Sequence, residues 1–231
     1  MDDDFPPYAS ILNVSCDLVN SNDSSQKECG SMDKEQLQTL YLQEDYYWGK
    51  EPNELAKKIL KYAAPPKKVV DIGAGEGRDS VFLAQQGFDA LAMDIASAGL
   101  DKVSRLAEEF DTQVQTLEAN INDVVFADSF DVVYSIGALQ YIEPINRSRQ
   151  FDHFKSITNP NGIHVLFAFM DHPEVEIAPD WGQNEYLYQP GELERYYSDW
   201  NMLEQEQIIF DCNSSNIPHQ HAADILIVQK P

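Results

Sequence analysis

The chain has 231 residues, enough for one α/β domain with a sizeable core. Against 16 Lys and Arg stand 39 Asp and Glu, a formal charge of -23 at pH 7 that repels phosphate backbones and anionic membrane surfaces. Neither nucleic acid nor a membrane is therefore an expected partner, and the three cysteines, Cys16, Cys29 and Cys212, are too scattered for a disulfide framework or a CxxC metal site.

In chain order, residues 1–32 open with Met1-Asp2-Asp3-Asp4 and are rich in Asp, Asn and Ser without a sustained apolar period. They read as an acidic polar tail. That start is the opposite of a basic signal-peptide head, and no apolar run reaches the length of a membrane span, so a cytoplasmic chain is expected. The domain is expected over 33–231, with a helical cap at 33–64 and a core at 67–231. The cap holds a helix through Leu37, Leu40 and Tyr41 and a second after Pro52 carrying Leu55, Ala56, Ile59 and Leu60, stopped by Pro65-Pro66.

From there, strand-like runs at 68–72, 90–93, 114–117, 130–135, 164–169, 203–210 and 225–229 alternate at first with helix-like stretches at 79–86, 100–110 and 147–157. Short apolar strands separated by amphipathic helices imply parallel neighbours covered on both faces. The last two strands are joined by 211–221, too short for a crossover helix, and should pair antiparallel. The expected fold is α/β: a Rossmann-like, seven-stranded, mostly parallel sheet with an antiparallel last strand, helices on both faces and an N-terminal helical cap.

The strongest motif is Val69-Val70-Asp71-Ile72-Gly73-Ala74-Gly75-Glu76-Gly77-Arg78-Asp79, a buried strand running into a glycine-rich turn that opens a helix. Residues without Cβ let the backbone turn sharply and approach a ligand, which makes Gly73, Ala74, Gly75, Gly77 and Arg78 candidate cofactor contacts. A dinucleotide would set its pyrophosphate on this helix start, where Asp71, Glu76 and Asp79 repel it. S-adenosylmethionine (SAM) has no phosphate and brings an ammonium and a sulfonium that carboxylates attract, so the acids favour SAM. Asp94, with Ile95 behind it, ends the next strand, where a carboxylate accepts hydrogen bonds from both ribose hydroxyls. Asn120 is placed to meet the adenine amino edge and Ile121 to cover the ring, while Ser135 and Gly137 lie at the carboxyl end of the fourth strand.

Together these segments resemble class I SAM-dependent methyltransferases over residues 46–231. Gly75-Glu76-Gly77-Arg78-Asp79-Ser80-Val81-Phe82-Leu83-Ala84, Gly87-Phe88 and Met93-Asp94-Ile95-Ala96 are similar to the tellurite-resistance (TehB-like) and thiopurine-methyltransferase-like branch. So are Tyr188-Gln189-Pro190-Gly191-Glu192-Leu193, resembling the helix before the sixth strand, and His219-Gln220-His221 ahead of the closing segment. Asn120 departs from the acid often found at its position. The resemblance implies methyl transfer from SAM to a small-molecule acceptor (a thiol, amine, hydroxyl or chalcogen oxyacid), with S-adenosylhomocysteine (SAH) as product; a monomer or homodimer is expected. It also implies that Tyr47 and Trp48 cap the methionine end of the cofactor, or else simply pack a helix on the sheet.

By the same topology the final hairpin connection, with His219 and His221, overhangs the transfer site; His221 is the candidate proton acceptor, against an ordinary turn histidine. Tyr141 is a candidate substrate contact or pocket wall. Arg195 is a candidate anion-binding group or a solvated helix arginine, in a lid stretch that also holds Trp181. No metal is expected, because His172 beside Asp171 lacks recurring His/Cys spacing. Two alternatives stand beside this reading: a non-catalytic SAM-binding or scaffolding protein, and an NAD(P)-linked oxidoreductase disfavoured by the acidic loop and the reversed hairpin.

Overall fold

The computed structural model of the chain describes residues 34–179, 181–182, 184–213 and 217–231. The expected acidic tail, 1–32, lies outside them.

Two short helices come first, α1 (Lys34–Tyr41) and α2 (Glu54–Tyr62). The Asn53 side chain accepts the Leu55 N–H at 2.9 Å and starts α2, with Glu54 in its first turn and Lys61 in its last, as the helix dipole favours. Leu55, Ala56 and Ile59 are buried on one face while the lysines face out. The strands are β1 (Lys68–Ile72), β2 (Asp89–Asp94), β3 (Gln115–Glu118), β4 (Phe130–Ile136), β5 (Thr158–Met170), β6 (Asn201–Cys212) and β7 (His219–Gln229). Between them lie α3 (Arg78–Gln85), α4 (Ser97–Glu109), α5 (Pro144–Ser156) and the single turn α6 (Glu192–Arg195).

The sheet has the order β3-β2-β1-β4-β5-β7-β6. Parallel pairing joins β1 to β5, and only β7 runs the other way, antiparallel to both its neighbours. One face packs Val70, Ile72 and Val133 against Phe151 and Phe154 of α5; the other packs Val69, Val132 and Val165 against Leu55 and Ile59 of α2 and Leu83 of α3. The sheet is thus buried on both sides, which is why its central strands read as continuous apolar runs. Among the described residues no helix is long and apolar enough to cross a membrane.

Two local expectations need correction. The fifth strand, expected over 164–169, begins at Thr158 and takes in Asn159-Pro160-Asn161-Gly162, residues that ordinarily form turns. Phe130 pairs with Thr158 and Val132 with Ile163, so four residues of β5 stand against Asp131 alone, a bulge with Asn161 at φ +60°. Turn-forming residues serve here to bend a strand. The last hairpin is also longer than expected: β6 reaches Cys212 and β7 starts at His219, so His219 and His221 are strand residues rather than part of the connection.

Candidate active site

The topology reverses between β1 and β4, and at the carboxyl ends of these strands lies a cavity of about 560 Å³, within the range of small-molecule sites. The turn after β1 forms its floor. Gly73 and Ala74 donate their N–H groups to Met93 O at 2.8 and 2.9 Å, and Gly75 N–H donates to Asp94 Oδ2 at 2.8 Å. Gly73, at φ +79°, sits so close to the β4 loop that a Cβ there would stand 2.1 Å from Ala138 Cβ. Gly77, at φ +89°, starts α3, and a Cβ on it would lie 2.7 Å from Val103 Cγ2 of α4. Glycine is therefore needed at both by packing and by backbone angle.

Asp94 closes β2. Its second oxygen accepts Ala96 N–H at 2.9 Å, which fixes the carboxylate and starts α4 in one contact. Burial raises its pKa and the backbone donors pull it back. Asp71, fully enclosed in β1, is pushed up to about 8 by burial and by the nearby Asp79 carboxylate; a 2.6 Å hydrogen bond from Ser80 Oγ lowers it in part. A cation arriving beside this carboxyl would favour its charged form.

All three acids of the turn line the cavity, but they are not equally open to a ligand. Glu76, 1% exposed, pairs with Lys102 Nζ at 2.7 Å and accepts Trp48 N–H at 3.0 Å. Asp79 accepts the Asn53 N–H at 2.6 Å and the Tyr134 hydroxyl at 2.8 Å. Each is held by two protein donors, whereas Asp71, among the described residues, is held by Ser80 Oγ alone and is the turn's carboxyl best placed for a ligand's charge. Glu76 instead clamps the aromatic segment over the turn, helped by Arg78 Nη1 donating to Trp48 O at 2.9 Å.

Fifteen of the residues singled out from sequence line this one cavity: Tyr47, Trp48, Asp71, Gly73, Ala74, Gly75, Gly77, Arg78, Asp94, Ile95, Asn120, Ile121, Gly137, Tyr141 and His221. Asn120 Oδ1 already accepts Asn122 N–H at 2.9 Å, so this amide offers donors rather than the acceptor an adenine amino group needs. Tyr141 donates its hydroxyl to Glu185 at 2.9 Å and is a wall braced by the lid segment; burial and Glu185 raise its pKa.

Two expected site residues lie elsewhere. Ser135 is fully buried and donates to Ile72 O at 2.9 Å inside the sheet, away from the cavity. Arg195, at the end of α6, is exposed and does not reach the cavity wall. The arginine that serves this region is Arg147 of α5, 2% exposed, which pairs with Glu192 at 2.7 Å, donates to Tyr186 O at 2.6 Å and lies 3.7 Å over the Tyr188 ring. It ties the lid to the core.

Other lining residues escaped notice in the sequence. Tyr41 of α1 accepts Trp48 Nε1–H at 3.1 Å, and Glu185, Gln140 and Cys212 complete the wall. Gln140 is 3% exposed, donates to Gly137 O, and has a buried Oε1 without a hydrogen-bond partner. Cys212, His219 and His221 place their ligand atoms within 4.8 Å of one another.

A sheet of this order with its seventh strand reversed, over a glycine turn that floors an open cavity, is the class I methyltransferase fold. The family model described as tellurite resistance protein TehB matches residues 38–215, and the chain belongs to that family. The probable S-adenosyl-L-methionine-dependent methyltransferase TehB of Haemophilus influenzae is 24% identical over 176 residues, 73% of this chain and 59% of that protein. This chain thus spans less than two thirds of that curated relative. The crystal structure of TehB from Haemophilus influenzae has a TM-score of 0.66 at 19% identity, over 86% of this chain and 67% of that one. Magnesium protoporphyrin IX methyltransferase from Synechocystis PCC 6803, with bound SAM, has a TM-score of 0.57 at 16% identity, over 77% and 76%.

Proposed function

We propose that the chain binds SAM in this cavity and transfers its methyl group to a small-molecule acceptor, releasing SAH. The observation that carries the reading is the joint placement of the glycine turn, Asp71 and Asp94 on one cavity wall. The residues fit the cofactor. Asp71 is a buried carboxyl whose ionisation a ligand ammonium would favour, and Asp94 is held by two backbone donors while its oxygens keep further lone pairs for two ribose hydroxyls. Ile121 is buried at the wall where an adenine ring would stack, and a Cβ at Gly137 would meet nothing within 4 Å.

When bound, SAM supplies an electrophilic methyl on a sulfonium leaving group. The chain's part is to align the acceptor and keep water out. Tyr41, Trp48 and Tyr141 form an aromatic wall, and Trp and Tyr faces favour a sulfonium by cation–π attraction. His221 borders the acceptor end and offers an imidazole to a proton leaving a thiol, amine or hydroxyl. Gln140 Oε1 offers a buried acceptor to a donor group on the substrate. A soft or already anionic acceptor, such as a thiolate or a chalcogen oxyacid, needs no strong base. The test is calorimetric titration with SAH followed by transfer of labelled methyl from SAM to a panel of thiols, amines and oxyacids. Absence of SAH binding would remove this reading, and binding without turnover on any acceptor would favour the non-catalytic alternative.

A further inference from the structure

The end of the β6–β7 hairpin gathers three metal-ligating side chains that the sequence holds apart. Cys212 and His219 are direct cross-strand partners, and Phe210 pairs with His221. Strand alternation puts Cys212, His219 and His221 on one face. His219 Nδ1 lies 2.7 Å from Ile217 O, and a carbonyl only accepts, so Nδ1 carries the hydrogen and Nε2 keeps its lone pair. That Nε2 is 3.0 Å from His221 Nε2.

These distances approach a metal site. Zinc–nitrogen bonds of ~2.05 Å and a zinc–sulfur bond of ~2.3 Å set tetrahedral N···N and S···N separations of about 3.3 and about 3.5 Å. The two imidazoles are near the first value, and Cys212 Sγ lies within 4.8 Å of both. Around His221 the rings of Phe169, Trp181 and Phe210 stand 5.0, 5.7 and 5.7 Å away and hold the imidazole in place, while the Ile217 carbonyl orients His219.

We propose that Cys212, His219 and His221 bind a zinc ion at the acceptor end of the cavity. Cys212 binds as thiolate and gives up its proton to solvent; both imidazoles bind neutral through Nε2, His221 carrying its hydrogen on Nδ1 in place of the Nε2–H that now meets His219. Three protein ligands leave a fourth position, the arrangement of reactive rather than purely structural zinc. Cys212 and His221 both line the main cavity, so water or an anionic acceptor such as a thiolate completes the shell. The ion then takes the lone pair that His221 would otherwise offer to a substrate proton. The metal site itself does not depend on the methyl-transfer reading.

The experiment uses the full chain stripped with chelator, titrated with zinc by calorimetry and with cobalt(II) by absorption, with circular dichroism and urea denaturation of every variant as the readout of an intact fold and SAH titrated separately. One zinc per chain is expected, together with tetrahedral cobalt bands and a thiolate-to-metal charge-transfer band. Cys212→Ser should abolish the charge-transfer band, and it and His219→Gln should each weaken zinc by at least the roughly 10- to 100-fold that loss of an outer partner costs. His172→Gln, whose imidazole accepts Glu174 N–H outside the cluster, should bind as the parent does. Zinc bound no more tightly by the parent than by Cys212→Ser, or cobalt bound without charge transfer, overturns the proposal. Zinc bound by a chain that does not bind SAH supports the metal site and counts only against the cofactor reading.

Discussion

Asp71 decides more than any other single residue. Folded, it holds its proton up to about pH 8; a solvated aspartate loses it near 3.8. Between these values the folded chain binds more protons than the unfolded one, so this carboxyl's contribution to stability is complete below 3.8 and is lost as pH rises through 8. Asp71→Asn removes that dependence, and without ligand the variant should unfold at higher urea than the parent above pH 8. The same change removes the ammonium's partner and should weaken SAH binding by about 10- to 100-fold, the span of a charged hydrogen bond. Parent affinity should climb with pH toward 8 and then level, while the variant's stays flat; calorimetry across pH 6–9 reads both. Gly73→Ala should abolish SAH binding or folding, since its Cβ would overlap Ala138 in a left-handed backbone.

At the scale of elements, the glycine turn was legible because strand, turn and helix each leave a sequence mark. The roles of its acids were not. Counting Asp71, Glu76 and Asp79 together treats charge as a property of a segment, whereas each side chain answers to partners elsewhere: Glu76 to Lys102 on α4, Asp79 to Tyr134 on β4. Lys102→Met leaves Glu76 buried without its ion, which should cost about 3–5 kcal/mol in urea denaturation. Because Glu76 also holds Trp48, this variant should release SAH faster in stopped-flow displacement. The Cys212 and His219 pairing was invisible for a related reason: a cross-strand neighbour is fixed by hairpin register, and the residues between them read as loop. Ser135 and Arg195 were misplaced because a strand's alternation and a short helix's phase do not say which face meets the cavity.

For the whole molecule, the alternation of apolar strands with amphipathic helices and the reversed last strand were readable, since parallel pairs need crossover helices and a hairpin does not. The bulge in β5 was missed because its Asn, Pro and Gly residues favour turns and strand bends alike. His164, buried on β5 between Thr158 Oγ1 and Tyr197 Oη at 2.7 Å each, couples the fold to pH. Burial lowers its pKa to about 3, against 6.5 when solvated. The unfolded chain therefore binds the extra proton between these values, and this histidine's contribution to stability should fall as pH drops below 6.5, by up to ~1.4 kcal/mol per pH unit, opposite in sign to that of Asp71 over the same range. Urea midpoints of parent and His164→Gln from pH 7 to pH 4 check this: relative to its value at pH 7, the variant should gain stability over the parent as pH falls, because only the Asp71 contribution then remains.

Calorimetric titration of the purified chain with SAH, beside the same titration with NAD, bears most directly on the central claim. One SAH per chain, weakened by Asp71→Asn, with no heat from NAD, is the result the site predicts. NAD binding in the cavity, or neither ligand binding to a folded chain, would contradict it.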